Sequence, residues 1–161
     1  MKKLTPFALI ITLLIAYSTS GRSLGAPNLP NDRWLYGAAG YARAVELQQQ
    51  LNVPLVVYFY ADWCPYCRTL DSQYLPSAPV QEYLRGVVKV RINPEQGPAE
   101  RALAIRYGVS GYPSFLIVRN SAARPVNVQP FRKVSNLTAT QFANACRAVA
   151  PGSRKTSSFK S

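Results

Sequence analysis

A chain of 161 residues, 48% hydrophobic and 16% charged, is long enough to bury one core and too apolar to remain unfolded, which excludes a disordered chain and leaves a single domain. Its formal net charge is +12, yet the basic residues are dispersed rather than clustered, so the charge describes a basic globular protein and speaks against nucleic acid as a partner. Three cysteines and no histidine are too few for a structural zinc site, which takes about four ligands.

In chain order, Lys2 and Lys3 precede an apolar run from Phe7 to Tyr17 and a small, polar stretch from Ser18 to Gly21. This is the layout of a secretory signal peptide over residues 1–20, with an uncleaved anchor as the alternative. The run is short for a span, which needs about 20 apolar residues. The mature protein is therefore expected to be exported, periplasmic or beyond, where disulfides form. Residues 21–32, with Pro27 and Pro30, read as a linker, residues 33–150 as the domain, and residues 151–161 as a flexible basic tail.

Within the domain, Trp34, Ala38, Tyr41, Ala42 and Val45 predict an apolar stripe on a helix ending near Leu51. Leu55 to Tyr60 is apolar without alternation, as in a strand buried on both faces. Pro65 then opens a helix through Arg68, Leu70 and Tyr74, and Val80 to Leu84 is a further helical piece. Val87 to Ile92 is a second strand, and Pro98 opens a helix that stops at Gly108. Phe115 to Val118 is a third strand, Val126 to Phe131 its antiparallel partner, and a last helix from Thr138 carries Phe142, Cys146 and Val149 on one face. The sequence Asn136-Leu137-Thr138 fits a glycosylation acceptor as well as a helix entry.

Cys64 and Cys67 stand three positions apart where a strand gives way to a helix. A structural disulfide closing so short a loop would constrain little chain. The unsatisfied N–H groups and positive dipole end of a helix favour thiolate at Cys64, which points to redox chemistry. Each pKa unit by which such a thiol is lowered is worth about 1.4 kcal/mol, or about 30 mV for a two-electron couple, so its surroundings set the direction of electron flow.

Trp63-Cys64-Pro65-Tyr66-Cys67 after a buried strand, with Gly111-Tyr112-Pro113 before another, resembles the thioredoxin superfamily over about residues 34 to 150. Tyr60-Ala61-Asp62-Trp63-Cys64 and Pro79-Val80-Gln81 are similar to exported members, in particular the C-terminal domain of the transmembrane thiol:disulfide interchange protein; Pro65-Tyr66 is the dipeptide of glutaredoxins. The resemblance implies an α/β thioredoxin fold with a central mixed four-stranded sheet, a parallel βαβ unit plus an antiparallel hairpin, flanked by helices. It also implies a redox-active Cys64–Cys67 disulfide with no further cofactor and no metal. Cys64 would be the exposed attacking thiol, Cys67 the buried resolving one, and Pro113 a cis-proline beside them. Trp63, Pro65, Tyr66, Tyr112 and Pro113 would meet the substrate.

Thioredoxins carry a buried aspartate six residues before the first cysteine, where this chain has Tyr58. Asp71, four positions beyond Cys67, is the substitute base that the helical spacing offers, with a solvated surface carboxylate as the alternative. Lys89 takes the place of the family's basic partner, and Cys146 reads as a core thiol. The expectation is a monomeric, exported thiol:disulfide oxidoreductase acting on protein substrates, reductase in preference to oxidase, supplied by a membrane or soluble thiol donor. The rival is a non-catalytic thioredoxin-fold binding module or assembly factor.

Overall fold

A computed structural model of the protein describes residues 33–152. The signal peptide and linker expected over residues 1–32, and the tail beyond Gly152, lie outside the described residues. The elements are β1 (Leu35–Tyr36), α1 (Gly37–Leu51), β2 (Leu55–Phe59), α2 (Pro65–Thr69), α3 (Ala78–Leu84), β3 (Val88–Ile92), α4 (Pro98–Arg106), β4 (Ser114–Val118), β5 (Val126–Asn127) and α5 (Ala139–Val149). They form a mixed sheet in the order β1-β3-β2-β4-β5, with β1 and β2 parallel to β3, and β4 antiparallel to both β2 and β5. This is the thioredoxin fold.

The sheet has five strands, not the four expected. The added strand is β1, where Leu35 and Tyr36 pair with Val90 and Arg91 on the open edge of β3. Trp34 consequently lies ahead of the strand instead of on a helix, with its ring edge against Tyr58. Gly37, at φ +65°, makes the sharp entry into α1, a backbone state that side chains resist. The Glu100 carboxylate from α4 accepts the Ala38 N–H at 2.9 Å, supplying a cap that the segment before α1 lacks. The buried side of α1 is Ala44, Leu47 and Gln48, rotated from the predicted stripe, with Tyr41 and Val45 packed at its margin and Ala42 exposed. Gln48 is buried because its amide donates to the Val118 carbonyl at the end of β4.

Every residue of β2 is buried, as its lack of alternation predicts. Its alternate side chains feed two cores. Val57 and Phe59 pack with α1 and α4, while Val56 and Tyr58 pack with Leu70, Tyr83, Phe115 and Phe142. The helix from Pro65 is not α-helical throughout: past Thr69 it widens into one π turn, Leu70–Tyr74, closed by the Leu75 N–H on the Leu70 carbonyl at 2.9 Å. The strand predicted from Val126 to Phe131 ends at Asn127, and although the Val128 N–H still reaches the Phe115 carbonyl, Pro130 has no N–H to continue. Asn136-Leu137-Thr138 is the helix entry: Thr138 caps α5 with Gln141 returning the bond to the Thr138 N–H.

Candidate active site

The site is built where β2 runs out. Cys64 is the N-cap of α2 with extended backbone, Pro65 takes the first helical turn, and the Cys64 sulfur accepts the Cys67 N–H at 3.1 Å. Proline fits there because the position needs no N–H donor. The same turn fixes the second cysteine, and the two are joined as a disulfide with Cα atoms 5.2 Å apart. Cys64 was expected to be exposed, yet in the disulfide state both cysteines are 2% exposed. The reason is local packing: Ala61 lies in the same cluster, with Tyr60 and Tyr112 against it, and the bonded sulfurs shield each other.

The antiparallel register of β2 with β4, Phe59 opposite Ser114, brings the loop before β4 alongside the cysteine turn. In that loop the Tyr112–Pro113 peptide bond is cis and Pro113 is buried. The Ser114 hydroxyl closes it on the Gly111 carbonyl at 2.8 Å, and the Gln129 amide donates to the Pro113 carbonyl. A groove of about 320 Å³ opens beside it, lined among others by Tyr66, Tyr112, Pro113, Asn127, Gln129 and Phe131.

Of the predicted substrate-facing residues, the structure brings Tyr66, Tyr112 and Pro113 into this groove. Tyr66 is 58% exposed and leans on Phe131 at 5.0 Å between ring centroids. Trp63, 63% exposed, packs its ring edge-on against Tyr112, with its indole N–H donating to Glu95 at 2.9 Å. Pro65 is exposed and is not among the groove's lining residues. Asp62 is also exposed, with its carboxylate accepting from the Asn93 amide.

Behind the cysteines, Tyr58 is fully buried and its hydroxyl donates a long bond, 3.4 Å, to the Cys67 carbonyl. Burial first, and the nearby Asp71 charge second, push the Tyr58 phenol above its ordinary range, so it is a neutral hydroxyl. Asp71, in the π turn, accepts from the Arg91 guanidinium at 2.6 Å. Lys89, in the place of the family's basic partner, donates its ammonium to the Leu84 carbonyl, and the cation on Asp71 is Arg91. Sequence reasoning missed Arg91, Glu95, Gln129 and Phe131. A signal existed for the first, since Arg91 follows Lys89 by two within an otherwise apolar strand and so shares its face.

Cys146 is 1% exposed in the core between α5 and α3, and burial pushes its thiol up to about 12. The folded thiol therefore keeps its proton where an unfolded one, at about 8.5, has lost it; the stability it contributes is intact below that pH and falls as pH climbs toward about 12. At about pH 8 a thiol-reactive dye is expected to find no reactive thiol in the native oxidised protein, and one per chain after unfolding in denaturant. Among the described residues, no three Cys, Asp or Glu side chains gather as a metal site.

The thioredoxin family profile matches residues 41–142, more than half of the chain. The chain belongs to the thioredoxin family. Among curated relatives, this thioredoxin-family chain is 34% identical over 85 residues to protein disulfide-isomerase erp38 of Neurospora crassa, covering 53% of the chain and 22% of the relative. It is 33% identical over 95 residues to thiol:disulfide interchange protein DsbD 1 of Pseudomonas aeruginosa, covering 57% and 16%. The matched stretch thus spans about a fifth of these longer proteins. A Thermus thermophilus thioredoxin superposes with a TM-score of 0.56 at 25% identity, over 72% of this chain and 86% of that one. The oxidised C-terminal domain of Neisseria meningitidis DsbD superposes with a TM-score of 0.56 at 23% identity, over 72% and 98%, a likeness of fold. The family match and the bonded Cys64–Cys67 pair thus fall on one domain.

Proposed function

We propose that the protein exchanges disulfides with polypeptide substrates through Cys64 and Cys67, in an exported compartment, and that it acts as a reductase in preference to an oxidase. The observation that carries this reading is the Cys64 sulfur at the mouth of α2, bonded to Cys67, accepting its N–H and packed under Tyr112, which with the cis-bonded Pro113 also lines the groove. A thiolate at that position is stabilised by the N–H and the helix dipole and leaves readily from a mixed disulfide. Cys64 attacks a substrate disulfide, and Cys67 then attacks Cys64 and expels the substrate thiol. Asp71 serves as the base for Cys67. Tyr66, Tyr112 and Pro113 seat the substrate backbone, and Trp63 and Pro65 border the approach.

Export is supported by the leader-like residues ahead of the domain. The likeness to the interchange protein, whose name states the exchange, supports the exchange itself, and its direction is what the potential below tests. A membrane or soluble thiol donor would return electrons to the Cys64–Cys67 disulfide, and a monomer suffices because both sulfurs come from one chain. The test is the equilibrium of the pair against glutathione buffers. A potential near about −270 mV is the expected result, whereas a value near about −120 mV would make the protein an oxidant.

A further inference from the structure

The Asp71–Arg91 pair differs from an ordinary surface ion pair in its surroundings. The guanidinium carbon lies 4.8 Å from the centroid of the Tyr60 ring, 5.0 Å from that of Tyr58 and 5.8 Å from that of Trp34, so three rings wall it in. Two of those rings stand on or just past β2 and the third lies ahead of β1, while Arg91 itself pairs with Tyr58 across the sheet. An arginine confined in this way has little rotamer freedom left, so its planar fork fixes whatever carboxylate it binds. It binds Asp71 through Oδ2 alone; Asp71 Oδ1 and the Arg91 Nε are buried with no partner in hydrogen-bond geometry, and the Tyr58 hydroxyl is the donor that comes near the carboxylate. Leaving a buried polar atom unpaired costs about 1–3 kcal/mol, which a purely structural pair would avoid by the bidentate arrangement open to these two groups. The unpaired oxygen belongs to the π turn that continues α2 beyond Cys67, and the Tyr58 hydroxyl on the Cys67 carbonyl lies within reach of its charge.

We propose that Arg91 is a positioning residue: it clamps the Asp71 carboxylate by Oδ2 so that Oδ1 takes the proton of Cys67 during resolution of the mixed disulfide. This rests on the exchange reading above. The Tyr58 hydroxyl turns from the Cys67 carbonyl and gives its proton to Asp71 Oδ1 while its oxygen takes the proton of the Cys67 S–H, and the freed sulfur electron pair forms the bond to the Cys64 sulfur. The bond between Cys64 and the substrate sulfur breaks, and its electron pair leaves with the substrate as a thiolate, which is protonated by water. Two electrons have then passed from the protein dithiol to the substrate disulfide, and Asp71 returns its proton to solvent.

The experiment mixes reduced protein with oxidised glutathione, quenches with acid at intervals and reads the species by mass spectrometry. Loss of the dithiol reports attack by Cys64, and loss of the glutathione adduct reports attack by Cys67. Arg91→Met is expected to lengthen the adduct lifetime about tenfold or more while the first step stays within about twofold of wild type, since misplacing a group by about 1 Å can cost about a hundredfold. Arg91→Lys, which keeps the cation without the fork, is expected to fall between. Asp71→Asn should be at least as slow in the second step as Arg91→Met, and the double variant no slower than Asp71→Asn. An unchanged adduct lifetime in Arg91→Met overturns the proposal, and so does equal slowing of both steps, the signature of a loosened fold. Should Arg91→Met fail to fold, a wild-type lifetime in Arg91→Lys beside a long one in Asp71→Asn overturns it instead. A wild-type protein whose dithiol is not oxidised by glutathione disulfide would sink the exchange reading itself, and Arg91's role with it.

Discussion

Replacing Cys64 by serine is expected to lower the rate of substrate disulfide reduction by about a thousandfold or more, to the background of the uncatalysed reaction. A serine hydroxyl at the N-cap of α2 is sterically close to the thiol and still accepts the Cys67 N–H, so the turn should survive. What is lost is the nucleophile, because an alkoxide is not available at neutral pH and forms no stable bond to sulfur. Cys67→Ser has a different signature: Cys64 still attacks, the adduct is not resolved, and the protein accumulates as a mixed disulfide with its substrate. Insulin reduction monitored by turbidity separates the first variant from wild type, and mass spectrometry finds the trapped species of the second. Should Cys64→Ser keep the biological activity of the wild type, the protein is a binding module that has retained the fold.

Phe142→Ala is expected to destabilise the fold by about 3–5 kcal/mol, a large part of the roughly 5–15 kcal/mol that holds an ordinary domain together. Phe142 is completely buried, 5.3 Å from Phe115 and 5.9 Å from Tyr74 between ring centroids. The contacts continue outward, from Tyr74 to Phe131 at 5.7 Å and from Phe131 to Tyr66 at 5.0 Å. One row of rings therefore runs from the core under the sheet to the wall of the groove. Removing its innermost member opens a cavity the size of a benzene ring and loosens the support of Tyr66. The urea midpoint should drop at unchanged slope, and KM for a polypeptide substrate should rise. A loss below about 1 kcal/mol would mean that the cavity collapses and that the row is not coupled as described.

The parts of the fold that were legible in the sequence are those written in local patterns. Leu55 to Phe59 reads as a doubly buried strand because every side chain is apolar, and Pro65 and Pro98 mark helix starts because proline fits only the first turn. Phe142 and Cys146 lie on the buried face of α5 as their spacing requires. What stayed hidden depended on partners distant in the chain. The two residues of β1 carry no strand pattern and are recruited by the free edge of β3, and Gln48 is inside only because the Val118 carbonyl awaits it. The π turn after Thr69 has no signature in residue type.

The site divides in the same way. Cys64, Cys67, Tyr66, Tyr112 and Pro113 were visible because two short motifs carry them, and sheet register brings the motifs together. Lys89 and Arg91 share one strand face, and the ring box that holds Arg91 on Asp71 shows only in three dimensions. The covered state of Cys64 was equally out of reach, since it arises from Tyr60 and Tyr112 closing on a bonded pair.

That covering makes the accessibility of the reduced thiol the point on which the mechanism turns. A brief pulse of iodoacetamide on the reduced protein at neutral pH, mapped by peptide mass spectrometry, should label Cys64 first, Cys67 far more slowly and the buried Cys146 not at all. Labelling of Cys67 ahead of Cys64, or no labelling of either, would contradict the assignment of Cys64 as the attacking sulfur.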